Sequence, residues 1–243
     1  MLLCIDNGNS RTKCAVYNAQ GEMIATKIFD DDSFNDMYTW ISGNNIIHAI
    51  ISTTGKRIVD IARIIIPGKI IELTHEIPLP VQIIYSTPET LGRDRIAAAC
   101  GAHALLPDKN CLVVDAGTCI TTDLLLATGI YLGGNIAPGL FMRLKAMHEQ
   151  TARLPLVDPE WPELAFGDST VHALQNGAGL GMVMEIEGHL NLARKAYGDV
   201  SIVITGGDAA FLASKLESRI FVEPELVTQG LFQILSFNVQ NTT

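Results

Sequence analysis

The sequence predicts an α/β fold made of two duplicated domains, each with a mixed β-sheet. Three observations carry this reading. The first third runs as three short strands in a meander followed by alternating helices and strands. The same strand pattern restarts at Cys111, and an acid–glycine turn recurs in both halves at a constant offset. With 243 residues, 48% of them hydrophobic and 18% charged, the chain has ample material for packed cores, which excludes a disordered protein. A net charge of −9 argues against a nucleic-acid or anionic-membrane surface, so a site for an anionic ligand needs local positive groups.

Taken in order, strands are expected at Leu2 to Ile5, Thr12 to Tyr17 and Met23 to Phe29. A helix from Phe34 to Ile41 and a buried strand from Ile46 to Ser52 follow, then a helix–strand alternation through Ile58 to Leu73. "VQIIY" is a further strand, and "RIAAACGAHALLP" is a helix stopped by Pro107. In the second half, "CLVVDAGTCITTDLLLATGIYLGG" divides into three strands, with helices near Gly139 to Thr151 and Ser169 to Tyr197. The strand "SIVIT" leads through "GGDAAFLASKLES" into a helix, and "LVTQGLFQILSFN" is a closing helix. These elements place the domains at residues 1–109 and 110–243. "GAGLG" at Gly177 to Gly181 lies within a helical pattern and reads as close helix packing. The acids Asp30, Asp31, Asp32 and Asp36 lack the glycine and closing glutamate of a calcium loop and read as a solvated loop before a helix.

The five cysteines (Cys4, Cys14, Cys100, Cys111 and Cys119) lie in or beside apolar runs with no CxxC spacing. Neither a zinc ribbon nor a thioredoxin-like centre is suggested, and buried free thiols in a reducing cytoplasm are expected. Asp6 interrupts the first apolar run too early for a signal peptide, no run reaches transmembrane length, and no HExxH pair occurs.

The acid–glycine turn is the motif that asks for chemistry. In "LCIDNGNSRTKCAVY" and "LVVDAGTCITTDLLL", Asp6 aligns with Asp115 and Gly8 with Gly117, with Asn9 opposite Thr118 and Lys13 opposite Thr122. A single Asn-Gly turn is accounted for by a hairpin. Two copies in matched surroundings give the turns a shared task. Glycine permits a phosphate to approach backbone N–H groups, Ser10 or Thr118 can add hydroxyl donors, and Lys13 an ammonium. A carboxylate beside a phosphate is repulsive unless it organises a cation, so Asp6 and Asp115 imply bound metal or cationic water shells. A third element, "VITGGDAAFLAS", ends a strand in Thr205-Gly206-Gly207 before a helix, leaving room for a flat ring or a phosphate. The chain carries neither the Walker P-loop pattern nor a Rossmann GxGxxG after a strand.

"IYSTPETLGRDRIAAACGAH" adds Tyr85, Gly92, Arg93, Asp94 and Arg95. On residue chemistry alone two readings stand. Asp94 caps the following helix while the arginines pair with surface acids, or the group forms a substrate site.

The two acid–glycine turns and the late Thr-Gly-Gly together resemble the phosphate and adenosine motifs of the acetate and sugar kinase, heat-shock protein and actin superfamily. That resemblance implies two ribonuclease H-like domains facing a nucleotide cleft. Over essentially its whole length the chain resembles the type III pantothenate kinases, through "DNGNSRTK", "LGRDR", "VVDAGTCITTD", "YLGGNIAPGL", "TARLP", "FGDST" and "VITGG". It departs from the family at Ser10, where threonine is usual, and at Arg93, where many members have alanine.

The resemblance implies ATP-dependent phosphorylation of pantothenate, the first step of coenzyme A synthesis, in a cytoplasmic homodimer with no nucleic-acid or membrane partner. It assigns the general base to Asp94 and substrate contacts to Tyr85, Gly92, Arg93, Asp94, Arg95 and Thr170. Thr170 alone would read as a helix N-cap, and Arg95 suits the pantothenate carboxylate. ATP contacts fall on Asp6, Asn7, Gly8, Asn9, Ser10, Arg11, Thr12, Lys13 and Thr118. A potassium or ammonium ion falls on Asp115. Magnesium is expected with ATP on chemical grounds, with Asp6 its protein partner through water. Two alternatives remain: a kinase of another small hydroxy acid or sugar, and a non-catalytic nucleotide-binding regulator on the same fold.

Overall fold

The computed structural model describes residues 1–8, 11–30, 33–53 and 66–240. Asn9, Ser10, Asp31, Asp32 and the expected passage from Ile58 as far as residue 65 lie outside the described residues. The chain divides into two compact units: Met1–Pro107, Gly129–Tyr131 and the segment from Glu225 form unit 1, while Asp108–Thr128 and Leu132–Pro224 form unit 2. The division comes two residues before the expected 109/110 boundary. The closing helix, which the sequence groups with the second half, is part of unit 1.

In unit 1, three strands form the meander: β1 (Leu2–Asn7), β2 (Thr12–Tyr17) and β3 (Met23–Phe29). Two further strands, β4 (His48–Thr53) and β5 (Ile70–Glu72), complete a sheet of order β3-β2-β1-β4-β5. The meander pairs are antiparallel, and the pairs β1–β4 and β4–β5 are parallel, which makes the sheet mixed. Helix α1 (Phe34–Ser42) covers one face, where Met37 and Ile41 pack on Leu3, Ile5, Cys14, Val16 and Ile51. The alternate residues of the same strands, Cys4, Ala15, Tyr17 and Ile50, are also buried, so both faces of the central strands are covered.

Among the described residues, the other two helices of this unit are α2 (Arg93–Leu105) and the closing helix, numbered α6 (Leu226–Gln240). They meet backbone to backbone at two glycines. A side chain on Gly101 would strike the carbonyl of Leu226, and one on Gly230 the carbonyl of Ala97. The Tyr17 and Phe232 rings, 5.0 Å apart, add an aromatic contact from β2 to α6. "VQIIY" keeps only a two-residue strand, β6 (Gln82–Ile83), paired with Ile130 and Tyr131.

Unit 2 repeats the plan. Strands β7 (Asn110–Ala116), β8 (Cys119–Leu125) and β9, which starts in unit 1 and spans Ile130–Pro138, are its meander. With β10 (Val200–Thr205) and β11 (Ile220–Val222) they stand in the order β11-β10-β7-β8-β9, the counterpart of the first sheet. Helices α3 (Leu140–Glu149), α4 (Thr170–Tyr197) and α5 (Ala209–Ala213) complete the unit. Leu174, Ala178, Met182, Ile186 and Leu190 recur every four residues along α4 and bury against Leu112, Val114, Ile202 and Ile204. Of the "GAGLG" glycines only Gly179 is a close contact, under the Trp161 ring. No helix among the described residues is long and apolar enough to cross a membrane.

One detail of the duplication differs from the ungapped alignment. The strand register sets Asp6 opposite Lys13 but Asp115 opposite Thr121, not Thr122. The second hairpin is one residue shorter, so every position beyond the turn shifts by one.

Candidate active site

In unit 1 the expected residues gather at one end of the sheet. Asp6 stands near the end of β1, with Lys13 opposite on β2 and Ser52 opposite on β4. Burial first, and then the charge of Asp94, raise the Asp6 carboxyl from 3.8 to about 6 against the opposing pull of Ser52 and Lys13. The Ser52 hydroxyl is buried without a hydrogen bond of regular geometry, so its effect is that of a nearby dipole. Lys13 places its Nζ 2.8 Å from Glu225 Oε1, just ahead of α6.

Neither turn glycine is forced by the backbone. Gly8 and Gly117 both lie outside the positive-φ region, and an added Cβ would meet only ordinary contacts at 3.5 Å and 3.7 Å. Their N–H groups donate to Arg11 and Cys119 carbonyls, at 3.1 Å and 3.0 Å. These two amides are therefore held within the turns. What glycine contributes is open space above the turn. Asn7 and Thr12 close the first hairpin, with Thr12 buried, and Arg11 is exposed, 3.9 Å from an equally exposed Asp30 carboxylate. Such a pair adds little stability.

The turn that carries Asp94 follows the 3-10 turn Pro88–Thr90. Gly92 is the N-cap of α2 and supplies no side-chain cap. Asp94 fills that role, since its Oδ1 accepts the Arg95 N–H at 2.9 Å. The carboxylate folds back over Gly92, where a Cβ would come within 2.5 Å of Oδ1. Arg93 turns its guanidinium to the backbone, donating from Nε to the Leu73 carbonyl and from Nη1 to the Thr53 carbonyl. Arg95 is buried, with its guanidinium 6.0 Å from the centre of the Tyr85 ring, which itself neighbours Tyr131.

In unit 2 the Asp115 turn and the Thr-Gly-Gly turn are one structure. Asp115 stands opposite Thr205 across the parallel β7–β10 pair. Asp208 N–H donates to the Ala116 carbonyl at 2.9 Å. Gly206 has φ of +93°, and a side chain there would strike the Ala116 carbonyl and come within 2.6 Å of Asp115 Oδ1. Only glycine serves at this position. Burial raises the Asp208 carboxyl above its ordinary value. Thr118 is exposed, and its carbonyl accepts the Gly139 N–H at 3.1 Å, which seats the start of α3 on the turn. The first amides of α3 have no intrahelical acceptors, and a pocket of about 430 Å³ lined by Gly117, Thr118, Phe141 and Lys145 lies alongside. Thr170 is exposed at the first position of α4, and the N-cap is Ser169, whose Oγ accepts the His172 N–H at 3.2 Å.

A family model, type III pantothenate kinase, matches residues 2–191. The type III pantothenate kinase of Phocaeicola vulgatus is 39% identical over 98% of this chain and 99% of its own length. The chain belongs to the type III pantothenate kinase family. The Flavobacterium johnsoniae relative of the same description is 35% identical over 99% of this chain and 100% of its own length. Among solved structures, the activator of the 2-hydroxyisocaproyl-CoA dehydratase from Clostridium difficile with bound ADPNP aligns with a TM-score of 0.56 at 11% identity, covering 99% of this chain and 96% of its own. Component A of the Acidaminococcus fermentans (R)-2-hydroxyglutaryl-CoA dehydratase aligns at 0.51 and 13% identity, over 97% and 96% of the two chains. These likenesses carry the fold alone.

Residue by residue, unit 1 collects Asp6, Asn7, Gly8, Arg11, Thr12 and Lys13, and also Tyr85 and Gly92 to Arg95. Unit 2 holds Asp115, Thr118 and Thr170. Sequence reasoning missed Glu225, Ser52 and the α3 start at Gly139. The last had a signal, since "YLGGNIAPGL" is among the motifs that carry the family resemblance. Among the described residues no group of three or more His, Cys, Asp or Glu is arranged to hold a metal.

Proposed function

We propose that the protein transfers the γ-phosphoryl group of ATP to pantothenate, the committing phosphorylation of coenzyme A synthesis in the cytoplasm. Family membership over the full chain is the observation that carries this reading. Asp94 is the general base: its carboxylate, held by the Arg95 amide at the start of α2, accepts the proton of the substrate hydroxyl as the oxygen attacks phosphorus. Tyr85, Gly92, Arg95 and Thr170 form the substrate contacts, and Arg95 pairs with the pantothenate carboxylate. Asp6, the turn to Lys13, and Thr118 hold ATP.

Magnesium, when bound with ATP, neutralises phosphate charge. Asp6 suits it, because a carboxyl raised by burial and by the charge of Asp94 gains from a nearby cation. Asp115 is the candidate for a potassium or ammonium ion, with Thr205 as its neighbour on β10. A homodimer is supported by Ile136, Phe141, Met184 and Leu192 of unit 2, large apolar side chains each more than half exposed.

The test is ADP formation dependent on pantothenate, measured with and without magnesium and with potassium or ammonium in place of sodium. Asp94→Asn should lower turnover by at least about a hundredfold while leaving ATP binding intact. Turnover with a sugar and none with pantothenate, or nucleotide binding without turnover, would refute the reading. Light scattering on a sizing column reports the dimer.

A further inference from the structure

We propose that Arg93 is a positioning residue for the base, clamping the first turn of α2 to the strand ends beside Asp6, and not a group that reads the substrate. The inference rests on the reading of Asp94 as the base.

Arg93 is the first residue of α2 and Asp94 the second. The helix start has no side-chain cap from Gly92, and glycine at that position stiffens nothing. The Arg95 N–H holds the carboxylate to the helix, and what remains to be fixed is where the helix start itself sits. The guanidinium of Arg93 fixes it with two donors spread in a fork. Nε reaches the Leu73 carbonyl, just beyond β5, and Nη1 reaches the Thr53 carbonyl at 3.0 Å, the last residue of β4. Thr53 pairs with Asn7 and the preceding Ser52 with Asp6. The fork thus binds the base-bearing turn to the strand that flanks the phosphate turn, and fixes the two carboxylates of Asp6 and Asp94 against each other. Both carbonyls lie where strands end, and a planar fork suits two divergent acceptors better than an ammonium does.

The experiment compares kcat and KM for pantothenate and for ATP in wild type, Arg93→Ala, Arg93→Lys, Asp94→Asn and the double variant, with thermal midpoints of each. A displaced base lowers kcat while ground-state binding persists. Arg93→Ala should therefore lose at least about tenfold in kcat, with KM for pantothenate changed by less than about threefold. Arg93→Lys should recover part of kcat through one restored carbonyl bond. In the Asp94→Asn background, Arg93→Ala should have no further effect on residual turnover, because the residue acts through Asp94. A raised pantothenate KM with kcat preserved would overturn the proposal and make Arg93 a substrate contact. An additive loss in the double variant, or an unchanged kcat in Arg93→Ala, would overturn it as well. If Arg93→Ala shows no cooperative unfolding, Arg93→Lys carries the same comparison. Absence of pantothenate-dependent turnover in wild type would refute the family reading instead, so the two failures are distinct.

Discussion

Lys13 on the first phosphate turn and Glu225 ahead of the closing helix form an ion pair of 2.8 Å, with both side chains largely shielded from water. The same glutamate accepts Thr228 Oγ1 at 3.1 Å, and Thr228 in turn meets the Tyr17 hydroxyl at 2.9 Å. The closing helix is therefore tied to β2 at two points, and the one ammonium expected to meet phosphate already has a carboxylate beside it. An acidic chain holds this positive group in place with an acid.

This arrangement predicts different outcomes for the two partners. Lys13→Met removes the proposed phosphate contact and leaves the Glu225 carboxylate half-buried beside an apolar chain. KM for ATP should rise about tenfold or more, and stability should fall by roughly 1–3 kcal/mol. Glu225→Gln keeps the ammonium and a hydrogen-bonding side chain. It should lower the thermal midpoint while leaving KM for ATP within about threefold of wild type. Equal effects of both variants on ATP binding would mean that Lys13 serves the helix and not the nucleotide.

Gly92 makes a second prediction. A methyl group there would lie 2.5 Å from Asp94 Oδ1, and the carboxylate must swing away or the turn must open. Gly92→Ala should cost kcat by at least about tenfold with a modest change in stability, because the displaced group is half-exposed. Kinetics beside a thermal melt separates this from unfolding. Full activity in Gly92→Ala would show that the carboxylate need not sit over the glycine.

Much of the fold was legible because strands write a period of two, and because a duplicated turn advertises itself. The order β3-β2-β1-β4-β5 and its counterpart follow from a meander plus crossovers. What stayed hidden depends on partners distant in sequence. Nothing near Gly101 or Gly230 names the other helix, so the return of the closing helix to unit 1 was unreadable. Glu225 looks like a surface acid until Lys13 is set against it. Ser169 and Thr170 both carry cap chemistry, and only backbone geometry decides that Ser169 does the capping. An ungapped comparison of the two turns cannot detect a hairpin one residue shorter, hence Thr121 where Thr122 was expected. Asp94 was singled out through family motifs; the bonds of Arg93 were not readable, since both acceptors are carbonyls and carry no side-chain signature.

The raised Asp6 carboxyl gives a pH prediction whose sign is fixed. Its ordinary value of 3.8 rises to about 6 in the fold, so the native state holds that proton more tightly than the unfolded chain. The stabilisation is complete below pH 3.8 and lost as pH rises through about 6. Asp6→Asn mimics the protonated form at every pH. Without nucleotide or divalent cation, its thermal midpoint should match wild type near pH 4 and exceed it at pH 8. Magnesium with ATP should narrow the gap at pH 8 by stabilising the wild-type carboxylate. A gap equal at both pH values would refute the assignment of the shift.

The cysteines offer the last prediction. Cys4, Cys14, Cys100 and Cys111 are buried, and burial pushes their thiols up, Cys14 to about 12 and Cys111 to about 11. At neutral pH they present almost no thiolate and no access. Cys119 alone is exposed, at the first position of β8 and next to Thr118. A thiol reagent should therefore titrate one cysteine in the native protein and five after denaturation. Because Cys119 follows the turn proposed to meet ATP, a bulky adduct should raise KM for ATP, and bound nucleotide should slow labelling. Cys119→Ser should keep activity and abolish native labelling. If ATP leaves the labelling rate unchanged while turnover is normal, the Thr118 turn does not carry the nucleotide, and the assignment of Thr118 falls without touching that of Asp94.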